Sequence, residues 1–145
     1  MDEINQNTTE VYLCSCPAHI PLSFGAHTWF VLNEGWELSR YEVLFRKNKD
    51  TARWYLHINN SWFFDGLGIL PLVESWRWKT KVVGSISGEV AQKIIAKIKE
   101  SPRNYPHLHK YRLIGPNSNT YTQWILDQFP EWRVRLPRNA FWKKY

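Results

Sequence analysis

Cysteine is scarce and poorly spaced for cross-linking. The chain has only Cys14 and Cys16, in a run that reads as a strand, where residues two apart share a face. That rigid spacing does not suit a disulfide. With no second cysteine pair, a cysteine-based zinc site is excluded and no metal is expected. Two buried thiols in a reducing, cytoplasmic compartment are the expectation. No apolar run approaches the roughly 20 residues a membrane span requires. The acidic, Asn-rich first residues do not read as a signal peptide. A Gly-rich phosphate loop is also lacking, so nucleotide hydrolysis has no support and no cofactor is expected. Repeats and low-complexity linkers are missing too.

What is present is a globular composition. The chain of 145 residues is 43% hydrophobic, with 9 Trp, 7 Tyr and 7 Phe to fill a core. This length fits one domain, residues 10–145, after a polar and flexible segment 1–9. The net charge of +6 is uneven: from Glu131 to Tyr145 five cations face one acid. Such a tail attracts phosphate or other anions, although a solvated face gives the same string.

Strand patterns cover Glu10–Cys16, His27–Asn33, Arg40–Arg46, Arg53–Ile58 and Lys81–Ser87, with a turn at Asn33-Glu34-Gly35. Residues Ser61–Trp78 are aromatic without a period, and irregular structure with one short helix is expected there. From Gly88 to Glu100, Val90, Ala91, Ile94, Ile95 and Ile98 form an apolar helical stripe, with Pro102 placed beyond its end. Tyr111–Ile114 and the alternation from Trp132 to Leu136 suggest two more short strands. The expected fold is α+β: an antiparallel sheet or partial barrel of about five or six strands, packed by two main helices.

The second helix starts at the most informative segment, Gly115-Pro116-Asn117-Ser118-Asn119-Thr120. Asn and Ser are capping residues, and Tyr121, Trp124, Ile125 and Phe129 follow at helical spacing, to about Gln128. Ser118 therefore sits at a helix N-terminus, where backbone N–H groups favour developing negative charge. Upstream, His27 opens a β-like run. A nucleophile at a helix start and a histidine at a strand start form the layout of papain-like hydrolases.

Three stretches carry a family resemblance: Ala26-His27-Thr28-Trp29 with Arg40-Tyr41-Glu42-Val43, Tyr111-Arg112 leading into the hexapeptide, and Leu136-Pro137-Arg138-Asn139-Ala140 to Tyr145. Together they resemble the domain of unknown function 3750 family, whose layout is similar to the circularly permuted papain-like (NlpC/P60-type) fold. At Phe141-Trp142-Lys143-Lys144 the chain departs from the family pattern, which expects a smaller residue and an acid. The resemblance implies that His27 is the base and that Ser118 holds the position of the usual cysteine. A third polar group on the following strand would orient the imidazole, Glu42 or, in the other register, Tyr41. A Ser-His-acid set is chemically sound for acyl transfer. The oxyanion would be held by the backbone N–H of Ser118 or Asn119, with help from Asn117.

Three readings stay open. The first is a hydrolase or acyltransferase acting on an amide or ester of a small molecule, peptide or lipid. The second is a catalytically inactive binding module for a small or anionic ligand. The third is nucleic-acid binding through basic residues interleaved with aromatics, at Trp76-Arg77-Trp78-Lys79 and in the tail, although amphipathic strands produce the same strings. His107 and His109 read as loop residues and His19 as another, while His57 is expected opposite to Leu56 and Ile58.

Overall fold

The computed structural model describes residues 8–50, 52–71, 73 and 76–144. Five strands form one open antiparallel sheet: β1 (Thr9–Pro17), β2 (Ala26–Glu34), β3 (Glu37–Val43), β4 (Leu56–Ile58) and β5 (Lys81–Ser87), in the order β4-β3-β2-β1-β5. Two helices follow, α1 (Glu89–Asn104) and α2 (Ser118–Leu126), then a 3-10 turn at Pro130–Trp132. The expected α+β class, strand number and helix pair are all present. The flexible segment expected over residues 1–9 falls largely outside the described residues.

Strand alternation sorts the core into two parts. Val11, Leu13, Phe30, Leu32, Tyr41 and Val43 face the helices and pack with Ile94, Ile98, Tyr121 and Ile125. Cys14, Cys16, Trp29 and Val31 point the other way, where Phe63, Phe64, Leu67 and Trp78 cover them. The aperiodic middle segment is thus a third layer laid over the sheet. It is irregular, and the short helix expected there is not found among the described residues. Gly66 lets two parts of this layer meet closely, because a Cβ there would stand 2.0 Å from the Trp78 carbonyl oxygen.

Several boundaries differ from the sequence reading, each for a local reason. The β2–β3 turn is made by Gly35 and Trp36, both at positive φ. Pairing therefore begins at Glu34↔Glu37, and β3 ends at Val43 rather than Arg46. Trp54 has φ 48°, which interrupts the extended chain and confines β4 to three residues. Residues 111–114 make no strand. Arg112 N–H donates to the Pro116 carbonyl and Gly115 N–H to the Arg112 carbonyl, closing a local turn.

The tail adds no edge strand either. Arg133 takes the left-handed conformation, and the chain then crosses the sheet at Gly84, where any Cβ would lie 2.8 Å from Val134 Cγ2.

Helix α1 passes through Pro102 instead of stopping before it. Proline cannot donate to the carbonyl four residues back, so Ile98 C=O would be orphaned. Ser101 Oγ donates to that carbonyl at 2.6 Å and also bonds Tyr121 Oη at 2.8 Å. One buried hydroxyl thereby repairs α1 and ties it to α2.

Candidate functional site

Asn117, not Ser118, caps α2. Its Oδ1 accepts from the N–H groups of Asn119 and Thr120, and Thr120 Oγ1 accepts from Asn117 N–H in return. The capping box needs an acceptor at the cap and a hydroxyl three residues on, and Asn117 and Thr120 supply both. Ser118 is thereby left as the first helical residue. It is 5% exposed, and its hydroxyl makes no hydrogen bond among the described residues.

Asn119 holds the helix end in place. Its Nδ2 donates to the carbonyls of Ala26 and Phe141, and its Oδ1 accepts from Thr28 Oγ1. Thr120 Oγ1 donates to the Trp142 carbonyl at 2.7 Å. The α2 N-terminus is thus fastened to the start of β2 on one side and to the tail on the other. Both asparagine side chains expected near an oxyanion are committed to the fold. Asn117 Nδ2 adds a bond to the Leu113 carbonyl, and Asn119 N–H is held by the cap. The N–H of Ser118 itself is the donor that the cap does not use.

On β2 and β3 alternation puts His27, Trp29, Arg40 and Glu42 on the sheet face opposite the helices. His27 Nε2 meets Glu42 Oε2 at 2.8 Å, with both groups buried. Arg40 Nη2 donates to the same oxygen at 2.7 Å. The Arg40 guanidinium lies 4.2 Å from the centre of the Trp29 ring and donates through Nη1 to the carbonyls of Trp62 and Asp65. His27 stacks on Trp29, with ring centres 5.5 Å apart.

Tyr41 points to the helix side and belongs to the main core, so Glu42 is the residue brought to His27. Arg40 and Trp29 join the candidate site beyond the residues the resemblance points to, and the sequence signal for Arg40 is its place two residues before Glu42 on one strand.

These contacts fix the protonation states. Burial pushes the Glu42 carboxyl up, but the His27 hydrogen bond and the Arg40 charge outweigh it and hold the group at about 2. Burial lowers the His27 pKa, against the opposing pull of Glu42. At neutral pH the pair is a carboxylate and a neutral imidazole. An ionised carboxylate only accepts, so Nε2 carries the proton and Nδ1 keeps its lone pair.

His27 and Ser118 line the same cavity, of about 620 Å³. His27 comes to it from the start of β2 and Ser118 from the start of α2. Leu22, Phe24, Phe45 and Trp142 are also on its wall.

The sequence profile of the DUF3750 family, described as a protein of unknown function, matches residues 7–145. The chain belongs to this family. Neither a curated protein nor a solved structure matches it.

Of the remaining candidates, His19 is on the wall of the same cavity and the others lie elsewhere. His57 is the cross-strand partner of Glu42 and its Nε2 bonds the Arg46 carbonyl at 2.8 Å. His109 meets the Trp54 ring edge-on, and His107 meets Tyr105. His19 Nδ1 bonds the Gly68 carbonyl at 2.5 Å. No group of three potential metal ligands occurs among the described residues, and no helix among them is long and apolar enough to cross a membrane. Of the basic-aromatic stretch, Trp78 turns inward with its Nε1 on the Ala18 carbonyl, Arg77 bonds the Gly66 carbonyl, and Trp76 is exposed.

Proposed function

We propose that this DUF3750 protein is an acyl hydrolase or acyltransferase of papain-like layout, acting on an ester or amide. In this reading Ser118 is the nucleophile, His27 the base and Glu42 the group that orients the imidazole. The observation that carries it is the buried His27 Nε2–Glu42 contact at 2.8 Å, which leaves Nδ1 unprotonated in a residue that lines the same cavity as Ser118.

Ser118 Oγ attacks the carbonyl carbon as its proton passes to Nδ1, and the tetrahedral oxyanion is held by the Ser118 N–H at the helix end. The carbon–heteroatom bond then breaks and the leaving group takes the proton from His27. Water or an amine, deprotonated by Nδ1, attacks the acyl-Ser118 ester and restores the serine. A hydroxyl needs its base in contact at the moment of attack, a contact that often tightens only when substrate binds.

A second reading has its own support. Both asparagine side chains beside Ser118 are tied up in structure, and a papain-like layout with serine for cysteine and few oxyanion donors fits an inactive binding module. A fluorophosphonate probe separates the two. The hydrolase labels at Ser118, and His27→Ala lowers the labelling rate by about 10²–10⁴-fold. A folded wild type that never labels leaves the binding module.

A further inference from the structure

The cavity that Ser118 lines is mostly apolar. Leu22, Phe24, Val43, Phe45, Leu113 and Trp142 are among its lining. Its other polar groups are mostly spent: His19 on the Gly68 carbonyl, Asn117 on the helix cap, and Asn119 on β2 and the tail. Besides these, the polar side chains of His27, Ser118 and Arg112 are on its wall. At the mouth, Phe24 is 63% and Ile114 69% exposed, an apolar rim of the kind that marks a ligand groove.

A peptide would carry an N–H and a C=O into this space at every residue, and a glycan several hydroxyls. Each would lose water without gaining a partner. A methylene chain has no such groups and gains from every carbon buried. The volume of about 620 Å³ is that of a small-molecule site.

A second depression shares Ile114, Phe141 and Trp142 with this cavity and is also lined by the cations Arg138, Lys143 and Lys144. We infer that the site takes a single-chain anionic amphiphile, its aliphatic acyl chain in the cavity and its negative head against these three cations. The position of the acyl carbonyl, at Ser118, rests on the acyl-transfer reading; the binding of chain and head does not.

The test uses two measurements on the full chain. In the first, cis-parinaric acid is titrated by fluorescence into Ser118→Ala, alone and combined with Leu22→Trp, which fills the cavity from a partly exposed position. A second combination, Lys143→Glu with Lys144→Glu, reverses the rim. Binding that weakens about tenfold or more in each combination supports the inference. In the rim variant added salt should no longer weaken binding.

In the second, wild type is assayed on p-nitrophenyl acetate, octanoate and laurate, where kcat/KM should rise with chain length. Absence of parinarate binding, or binding indifferent to Leu22→Trp, overturns the acyl-chain site even if the acetate is turned over by a His27-dependent reaction. Binding indifferent to the two lysine reversals overturns the anionic head. Parinarate binding that meets both criteria, with no ester cleaved, upholds the binding site and removes the acyl-transfer reading.

Discussion

Ser118 and the two cysteines show how position decides the chemistry of a side chain. Cys14 and Cys16 are buried between the sheet and the aromatic layer, and burial pushes both thiols up to about 12. They are inert near neutral pH and do not compete with a thiol placed elsewhere. Ser118 stands instead at a helix start beside a cavity, with its hydroxyl unbonded. Ser118→Cys should therefore give a thiol with a pKa clearly below the free-cysteine value of about 8.5. The rate of iodoacetamide alkylation against pH measures it without removing the native cysteines. His27→Ala should move that pKa back up, and a thiol at 8.5 that ignores His27 would sink the pairing.

Among the elements, α2 and α1 depend on different polar residues. Asn117→Ala removes the cap and should cost about 1 kcal/mol, whereas Ser118→Ala, at the first helical residue, should leave stability nearly unchanged. Ser101→Ala should cost about 1–3 kcal/mol, because it strands the Ile98 carbonyl and takes a partner from the buried Tyr121 hydroxyl. Urea midpoints compare the three, and equal losses at 117 and 118 would contradict the cap assignment.

The same residues explain what the sequence could and could not disclose. Strand periodicity in β1, β2 and β5 and the isoleucine stripe of α1 are local signals, and they were legible. Pro102 read as a stop because the rescue by Ser101 is a side-chain event that depends on α2. Tyr111–Ile114 and Trp132–Leu136 alternate like strands, but they find local turns and a crossing over Gly84 in place of a neighbouring strand. At the candidate site, the resemblance points to His27, Ser118 and Glu42 or Tyr41, and strand register turns Glu42 rather than Tyr41 to His27. The contacts of Arg40 and Trp29 carry no such local signal, since they exist only where β2, β3 and the aromatic layer meet.

At the scale of the whole molecule, the His27–Glu42–Arg40 cluster joins β2, β3 and the third layer, so its protonation bears on global stability. The unfolded chain protonates Glu42 near 4.5, the folded one only near about 2. Between these values the unfolded state binds more protons, and acid favours unfolding. His27 acts in the same direction from a higher starting point: its pKa is lowered from 6.5 by burial, so folding resists a proton that the unfolded chain accepts. His57, lowered by burial as well and facing Glu42 across the strands, adds to this upper step.

Stability should then be full above about pH 6.5, fall as pH drops below that value, and fall again between 4.5 and about 2. His27→Asn should shrink the upper step, leaving the share of His57, and also weaken the lower one, because Glu42 loses a hydrogen bond that holds its pKa down. Glu42→Gln should remove the lower step and leave Arg40 buried without its counter-ion, at a cost of about 3–5 kcal/mol at neutral pH. Urea unfolding measured from pH 8 to pH 3 tests all of this. A His27→Asn profile that overlays the wild type would mean that His27 protonates alike in both states, and that its burial beside Glu42 does not lower its pKa.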